Sequence, residues 1–279
     1  MKTLAVIITY YPDVEEVTNN ILQFIDFVDK VIIWQNTPSI VKKNYLINSF
    51  KHNEKVVYMG NDSNMGIAYA LNQAYEIMLN DSNNFTHLLT MDQDSTWVNF
   101  HDYVDVIKLY SKNSIFSPNI NGEYKSDVEF IKVKTCITSG AMFSVEVLKK
   151  IGKFNEEYSV DCVDYDFCFK AAKNNISITK VQAANLKQIY GEPMKSRYFN
   201  LENNMYSPKR LFFIARNHIL LWRDYPNNIN FQFKRMILSS HIFGKIVKVV
   251  FMEENKLKKV FSILNGFYAG LINNRRDTY

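Results

Sequence analysis

The chain predicts an α/β protein: a Rossmann-like, mainly parallel sheet flanked by helices, followed by a C-terminal helical appendage. Three observations carry this prediction. Short apolar runs alternate with segments of helical spacing through the first half of the chain. Each apolar run gives way to a polar loop. From Ser207 onward the pattern is helical, amphipathic and basic. Alternating strand and helix builds a parallel sheet with helices on both faces. The boundary is drawn between residues 1–205 and 206–279.

Taken in order, Leu4 to Thr9 is a β-rich run and the first strand. Val14 to Phe27 has helical spacing, with Val14, Val17, Ile21, Phe24 and Ile25 on one face and Asp13 as N-cap. Lys30 to Trp34 and Lys55 to Met59 are the next strands. Ile67 to Leu79 is helical and Phe85 to Met91 is again strand. Beyond residue 95 the alternation weakens. Phe100 to Tyr110 reads as helix, Asn119 to Lys134 as polar loop or hairpin, and Thr138 to Phe143 as a turn entering a strand. Ser144 to Ile151 is a helix closed by Gly152, and Val163 to Asn174 is another. Right-handed crossovers place the loops after successive strands along one edge. Thr9-Tyr10, Gln35-Asn36, Asn61 to Gly66 and Asp92 to Ser95 all fall there, where open α/β sheets bind ligands.

Length and composition narrow the class. With 279 residues, 47% of them apolar and 14% aromatic, the chain can bury a full core. Cys136, Cys162 and Cys168 form no CxxC pair or zinc spacing, and no cleavable leader precedes the first strand. Both favour a reduced, cytoplasmic setting. The apolar segment around Ile237 to Met252 is broken by Lys245 and Lys248, so no membrane-spanning helix is expected. The net charge of +5 is uneven. Of 33 Lys and Arg, 16 lie from Lys187 onward, against 6 of the 28 Asp and Glu. A basic tail on a mildly acidic body expects an anionic contact. No nucleic-acid motif accompanies the charge, so the expected contact is an anionic membrane surface, at the inner face of the cell membrane, or a phosphorylated lipid rather than nucleic acid. The tail reads equally well as packing helices with a solvated face, and its helices offer a surface for a homo-oligomer.

Two acidic clusters carry the chemistry. In Leu88-Leu89-Thr90-Met91-Asp92-Gln93-Asp94-Ser95 an apolar run stops at two carboxylates one residue apart. A strand end of this kind delivers both to the sheet edge, where hard cations such as Mg²⁺ and Mn²⁺ share carboxylates with substrate phosphates. The second cluster is Asp161, Asp164 and Asp166, set among Val160, Val163, Tyr165 and Phe167. A carboxylate held partly out of water gains a raised pKa and can take a proton from an attacking hydroxyl. The same acids also suit a helix N-terminus.

Seven segments in order resemble the family 2 glycosyltransferases, within them the rhamnosyltransferase-like group. They are Val6 to Pro12, Asn64 to Asn72, Met91 to Ser95, Thr138-Ser139-Gly140, Ile151 to Glu156, Asp161 to Asp166, and Ser207 to Asn217. The resemblance spans most of the chain. It implies a GT-A fold over residues 1–205 and inverting transfer of a sugar from a nucleotide diphosphate donor, dTDP-rhamnose or a UDP-hexose. The acceptor would be a lipid-linked or protein-linked glycan in bacterial surface polysaccharide synthesis. On this likeness Thr9 and Tyr10 line the nucleoside pocket, and Asn64 and Gly66 border the base and ribose. Asp92 faces the ribose or the metal's water, and Asp94 ligates Mn²⁺ or Mg²⁺. Asp164 is the catalytic base, with Asp161 and Asp166 orienting it or binding acceptor. Ser139, Gly140 and Arg216 are supporting positions. Two departures stand out. Gln35 or Asn36 occupies a loop position where the family usually has an Asp, and an amide can still bond a pyrimidine edge. Lys187 or Gln188 in Leu186 to Gly191 replaces a usual His. Two other readings compete: a nucleotidyltransferase, which lacks its phosphate loop in Thr9 to Asp13, and a non-catalytic nucleotide-sugar or glycan-binding subunit.

Overall fold

The computed structural model describes residues 1–38, 43–80, 84–110, 113–123, 128–158, 160–188, 194–195 and 202–272. Ser39, part of the Asn119 to Lys134 loop, Ile189 to Gly191 and the end of the basic tail lie outside them. The chain divides into two compact units: Met1–Glu157 with Val163–Ile189, and Tyr158–Cys162 with Tyr190–Tyr279.

The first unit is built on one mixed, mostly parallel sheet. Its strands are β1 (Thr3–Thr9), β2 (Lys30–Gln35), β3 (Val56–Gly60), β4 (His87–Asp92), β5 (Ser95–Trp97), β6 (Ser114–Ile120), β7 (Phe130–Val133), β8 (Met142–Ser144) and β9 (Ser177–Gln188). The order is β3-β2-β1-β4-β8-β6-β9-β5, with β7 also on β9. β3, β2, β1 and β4 run parallel. β8 is antiparallel to β4 and β6. Register fixes the edge that matters: Thr9 is opposite Gln35, Gln35 opposite Gly60, and Ile8 opposite Asp92. Four loops therefore leave the sheet at one level. Helices α1 (Val14–Leu22), α2 (Lys43–Ser49), α3 (Ile67–Asn80), α4 (Phe100–Leu109), α5 (Val145–Ile151) and α6 (Val163–Lys173) complete this unit. Continuous apolar runs such as Leu4 to Ile7 are fully buried, as expected of strands covered on both faces.

Three details differ from the sequence expectation. The first helix stops at Leu22, with a separate 3₁₀ turn at Ile25–Phe27. Asp13 does cap it, accepting from the Glu16 N–H at 3.0 Å. Asn119 to Lys134 is not simply loop: its first residues end β6, and Phe130–Val133 forms β7 against β9. β9 itself had no periodic signature. It is flanked along its length by β6, β7 and β5, so its faces are buried unevenly.

The second unit is helical, with a short β10 (Met194–Lys195)–β11 (Glu202–Asn203) pair preceding its helices. Its helices are α7 (Pro208–Asp224), α8 (Phe231–Met236), α9 (Gly244–Met252) and α10 (Lys256–Ile272), with a π-helical segment at Ile237–Phe243 between α8 and α9. Ser207 caps α7 through the Arg210 N–H and Pro208 opens it. Its core gathers Leu211, Ala215, Ile242, Val249 and Ile263. His218 stacks on His241 with ring centroids 3.9 Å apart, and its Nδ1 bonds the Ile214 carbonyl at 2.8 Å. Burial lowers both imidazoles to about 4, and for His241 the neighbouring His218 adds to this while Asp161 opposes it.

The unfolded chain protonates these groups near pH 6.5, above their folded values, and so binds more protons between the two. Stability of the second unit is thus complete above about pH 6.5 and falls as pH drops towards about 4, on the order of 3 kcal/mol for His218 alone. Urea unfolding followed across this range is expected to show the slope, and His218→Gln to flatten it.

Candidate functional site

The site is built around the turn that ends β4. Asn20, on the buried face of α1, donates from Nδ2 to the Gln93 carbonyl at 2.8 Å and accepts from Thr96 Oγ1 at 2.5 Å. The Gln93 amide reaches the other way. Its Oε1 accepts the Tyr10 N–H at 2.6 Å and its Nε2 donates to the Tyr10 carbonyl at 3.1 Å. The middle residue of Asp92-Gln93-Asp94 thus clamps the loop after β1 and holds the backbone that carries the two carboxylates. Sequence reasoning overlooked both amides. A signal for Asn20 was present: a polar residue in the apolar stripe of Val17, Ile21 and Phe24.

Asp92 is anchored from two sides. Its N–H donates to Ser139 Oγ at 3.2 Å, and Ser139 in turn bonds Ser95 at 2.8 Å. Gln188 donates from Nε2 to Asp92 Oδ2 at 3.2 Å. The Asp92 carboxyl is raised to about 7, first by burial, then by the like charges of Asp164 and Asp94, against the Gln188 bond. Burial raises Asp94 as well, opposed by a bond to its own backbone N–H. Among the described residues no lysine or arginine pairs with Asp92 or Asp94. Gln188 is itself held by a two-way pairing with Asn121, its N–H donating to Oδ1 at 3.0 Å and its carbonyl accepting from Nδ2 at 3.1 Å. The neighbouring Lys187 is exposed on β9, opposite Thr96.

Asp164 lies in the first turn of α6. Its Oδ1 accepts the Thr138 N–H at 2.7 Å, two residues before Gly140. The segment Thr138 to Gly140 therefore contacts Asp164 at one end and Asp92 through Ser139. Asp166 lies elsewhere on the same helix. It is 2% exposed and pairs with Lys170 at 2.9 Å, one helical turn on. The two acids of Asp164-Tyr165-Asp166 are thus separated by their partners: one joins the Asp92 cluster and the other an ion pair within α6.

Gly140 sits at φ +76°, and a Cβ there would meet Pro118 Cγ at 2.7 Å and Leu186 Cδ2 at 2.9 Å. Its N–H donates to the Thr90 carbonyl at 2.7 Å and its carbonyl accepts the Tyr103 hydroxyl at 2.9 Å. Gly140→Ala combines a left-handed backbone with overpacking, for a loss of about 2–4 kcal/mol in urea denaturation.

The remaining loops close the edge. Thr9 is buried and its hydroxyl donates to the Trp34 carbonyl at 3.1 Å. Tyr10 is 49% exposed. Tyr11 has φ +46° and donates its N–H to Thr37 Oγ1 at 2.7 Å. Asn36 is buried: Nδ2 donates to the Gly66 carbonyl at 3.2 Å, while Oδ1 accepts from Trp34 Nε1 at 3.2 Å and the Met65 N–H at 3.4 Å. Asn36 thus ties the loop after β2 to the start of α3, and half-buried Gln35 precedes it. Asn64 Oδ1 accepts the Gly66 N–H at 3.0 Å and the residue is exposed. Asn72 joins two further segments of the sequence pattern, bonding the Phe154 N–H and carbonyl and Glu156.

Asp161 and Arg216 belong to the second unit. Asp161 has φ +55° and faces Arg210, with Nε 3.7 Å from Oδ2. Burial raises its pKa, against the pull of Arg210 and His241. Arg216 lies over the Phe213 ring and donates to Asn217 Oδ1.

The donor set fits a hard divalent cation in one specific way. Among the described residues no cluster of three or more metal-binding side chains occurs. Two carboxylates with no paired cation can still hold such an ion when substrate phosphates supply further oxygens.

No family model matches the chain. A dTDP-rhamnosyl transferase of Shigella flexneri, RfbF, is 25% identical in an alignment of 244 residues covering 78% of this chain and 79% of that protein. A solved structure of GalNAc-T7 with UDP, GalNAc and Mn²⁺ aligns with a TM-score of 0.63 at 11% identity, over 93% of this chain. The chain spans 54% of the length of that protein. The structural likeness shows a fold of the GT-A type, and the sequence likeness supports the resemblance to rhamnosyltransferase-like glycosyltransferases.

Proposed function

We propose that this chain is an inverting glycosyltransferase that moves a sugar from a nucleotide diphosphate donor to a glycan acceptor. One observation carries the reading most: Asp92, Asp94 and Asp164 come together beside the end of β4, the first two with no cation paired to them among the described residues. Asp94 and Asp92 would hold Mn²⁺ or Mg²⁺, which when bound neutralises charge on the leaving diphosphate. Asp164, oriented by the Thr138 N–H, takes the proton from the acceptor hydroxyl. The hydroxyl oxygen bonds the anomeric carbon from the opposite face as the bond to the diphosphate breaks. Inversion follows from a single displacement, which needs one base and no protein nucleophile.

Tyr10, Gln35, Asn64 and Gly66 would border the nucleoside, while Thr9 and Asn36 hold their loops from within. Ser139 and Gly140 support the carboxylates, and Gln188 bonds Asp92, with Lys187 beside the diphosphate. Asp161, Asp166 and Arg216 would act on the acceptor side or in support. The curated likeness favours dTDP-rhamnose as donor, with a UDP-hexose second, and a surface glycan as acceptor. A cytoplasmic location suits such a donor. The domain reading remains residues 1–205 for donor and catalysis, with 206–279 as the helical region.

The test is turnover with labelled dTDP- and UDP-sugars in Mn²⁺ or Mg²⁺. One donor is expected to release nucleoside diphosphate, with about a hundredfold loss on chelation or in Asp94→Ala. Donor binding by calorimetry with no turnover under any condition would instead favour a non-catalytic binding subunit.

A further inference from the structure

The helical unit leaves much of its apolar surface outside its own core. On α10 the packing face includes two glycines. A Cβ on Gly266 would fall 2.2 Å from the Phe212 carbonyl oxygen, and one on Gly270 2.8 Å from that of Arg216. Arg223 on α7 donates to the Gly270 carbonyl at 2.8 Å. This close approach commits one face of α10 to α7, and Ile263 is the large apolar side chain of α10 that is fully buried. Val260 and Phe267 are partly buried against the same core, and the remaining large apolar residues point outward. Leu257, Phe261, Leu264, Tyr268 and Leu271 are between 49% and 89% exposed. Their steps of four and three residues make a continuous outward stripe roughly 20 Å long. α9 repeats the feature with exposed Val247, Val250 and Phe251, and Phe231 and Phe243 are exposed near it. Apolar exposure on this scale marks an interaction surface.

Charge identifies the occupant. From Phe231 to Ile272 the sequence has seven Lys and Arg and two acids. One of the acids, Glu253, is buried and paired with Lys245 and Lys259. α10 carries no acidic residue between Lys256 and Ile272. The four-three spacing alone would suit a coiled-coil seam with a second copy, but such seams rely on opposite charges at their flanks. Two copies of this surface would place lysine against lysine. An anionic bilayer supplies the missing charge and accepts the apolar side chains between headgroups. No described helix is long and apolar enough to cross a membrane, which suits a helix lying in the interface plane.

We propose that the outward faces of α9 and α10 rest on an anionic lipid surface, with Phe261, Leu264 and Tyr268 inserted and Lys256 and Lys258 over the headgroups. This does not depend on the transfer reading. The test is flotation of the full chain with phosphatidylcholine vesicles, with or without about one third phosphatidylglycerol. Binding is expected to the anionic vesicles, weakening with salt. Phe261→Ser with Leu264→Ser is expected to weaken it at least about tenfold. Each of Lys256→Gln and Lys258→Gln is expected to weaken it about fivefold. All four positions lie outside the core, so circular dichroism should match the parent. Three results would overturn the proposal: no flotation with anionic vesicles, flotation unchanged in the Phe261/Leu264 variant, or a lipid-free dimer by sedimentation that this variant dissociates.

Discussion

Asp164→Asn is expected to lower kcat by about 10²–10⁴-fold while the donor KM changes little. The substitution is nearly isosteric. An Asn Oδ1 can keep the Thr138 N–H bond that now orients the carboxylate at 2.7 Å, so the geometry of the α6 start is retained. What is lost is the ability to take a proton. Asp166→Asn supplies the contrast, because that side chain is buried and paired with Lys170. Its loss should appear as lower stability with a far smaller change in kcat. Steady-state turnover of the accepted donor, with nucleoside diphosphate binding measured by calorimetry, separates the two. Equal kcat losses in the two variants would show that the chemistry does not reside in Asp164. A second readout is independent of turnover. The charge of Asp164 helps raise the Asp92 carboxyl, so removing it should lower that titration, visible by NMR.

The part of this site that was legible in sequence was the part with a sharp local signal. The apolar run to Met91 stopped at Asp92 and Asp94, and the strand ends where the acids begin. The Asp13 cap was legible for the same reason, and it accepts from the Glu16 N–H in the first turn. What could not be read was which polar groups face inward. Asn36 offered an amide suited to a base edge, yet its bonds run to Trp34, Met65 and Gly66. By residue chemistry alone Asp161, Asp164 and Asp166 were equivalent, only the family resemblance setting Asp164 apart, and they acquire different partners through tertiary packing. β9 escaped because its neighbours come from distant segments. Pro118 lies within β6, and the β6–β9 pairing continues past it through a register shift after Pro118.

Glu253→Ala is expected to destabilise the helical unit by about 3–5 kcal/mol. Glu253 ends α9 with its side chain fully buried. Its Oε1 accepts from Asn203 and lies 3.3 Å from Lys245 Nζ, and its Oε2 accepts from Lys259. Burial alone would raise this carboxyl, but the Lys259 and Asn203 bonds and the Lys245 charge bring it below the usual carboxylate value. Lys245 is the reason the loss should be large. It is buried too, also donates to the Asn204 carbonyl at 2.6 Å, and would keep its ammonium in a low-dielectric site without the anion. Glu253→Gln should cost less, since the amide retains a partner for Asn203. Hydrogen exchange of peptides from residues 203–272 reports on this unit separately from the sheet. A change below about 1 kcal/mol would show that the network is too solvated to matter. The pH dependence has a definite sign. A depressed folded pKa contributes stability above the unfolded value near 4.5, lost as pH falls through the folded value. This window lies below that of His218 and His241, so acid should weaken the unit in two steps, and Glu253→Ala should remove the lower one.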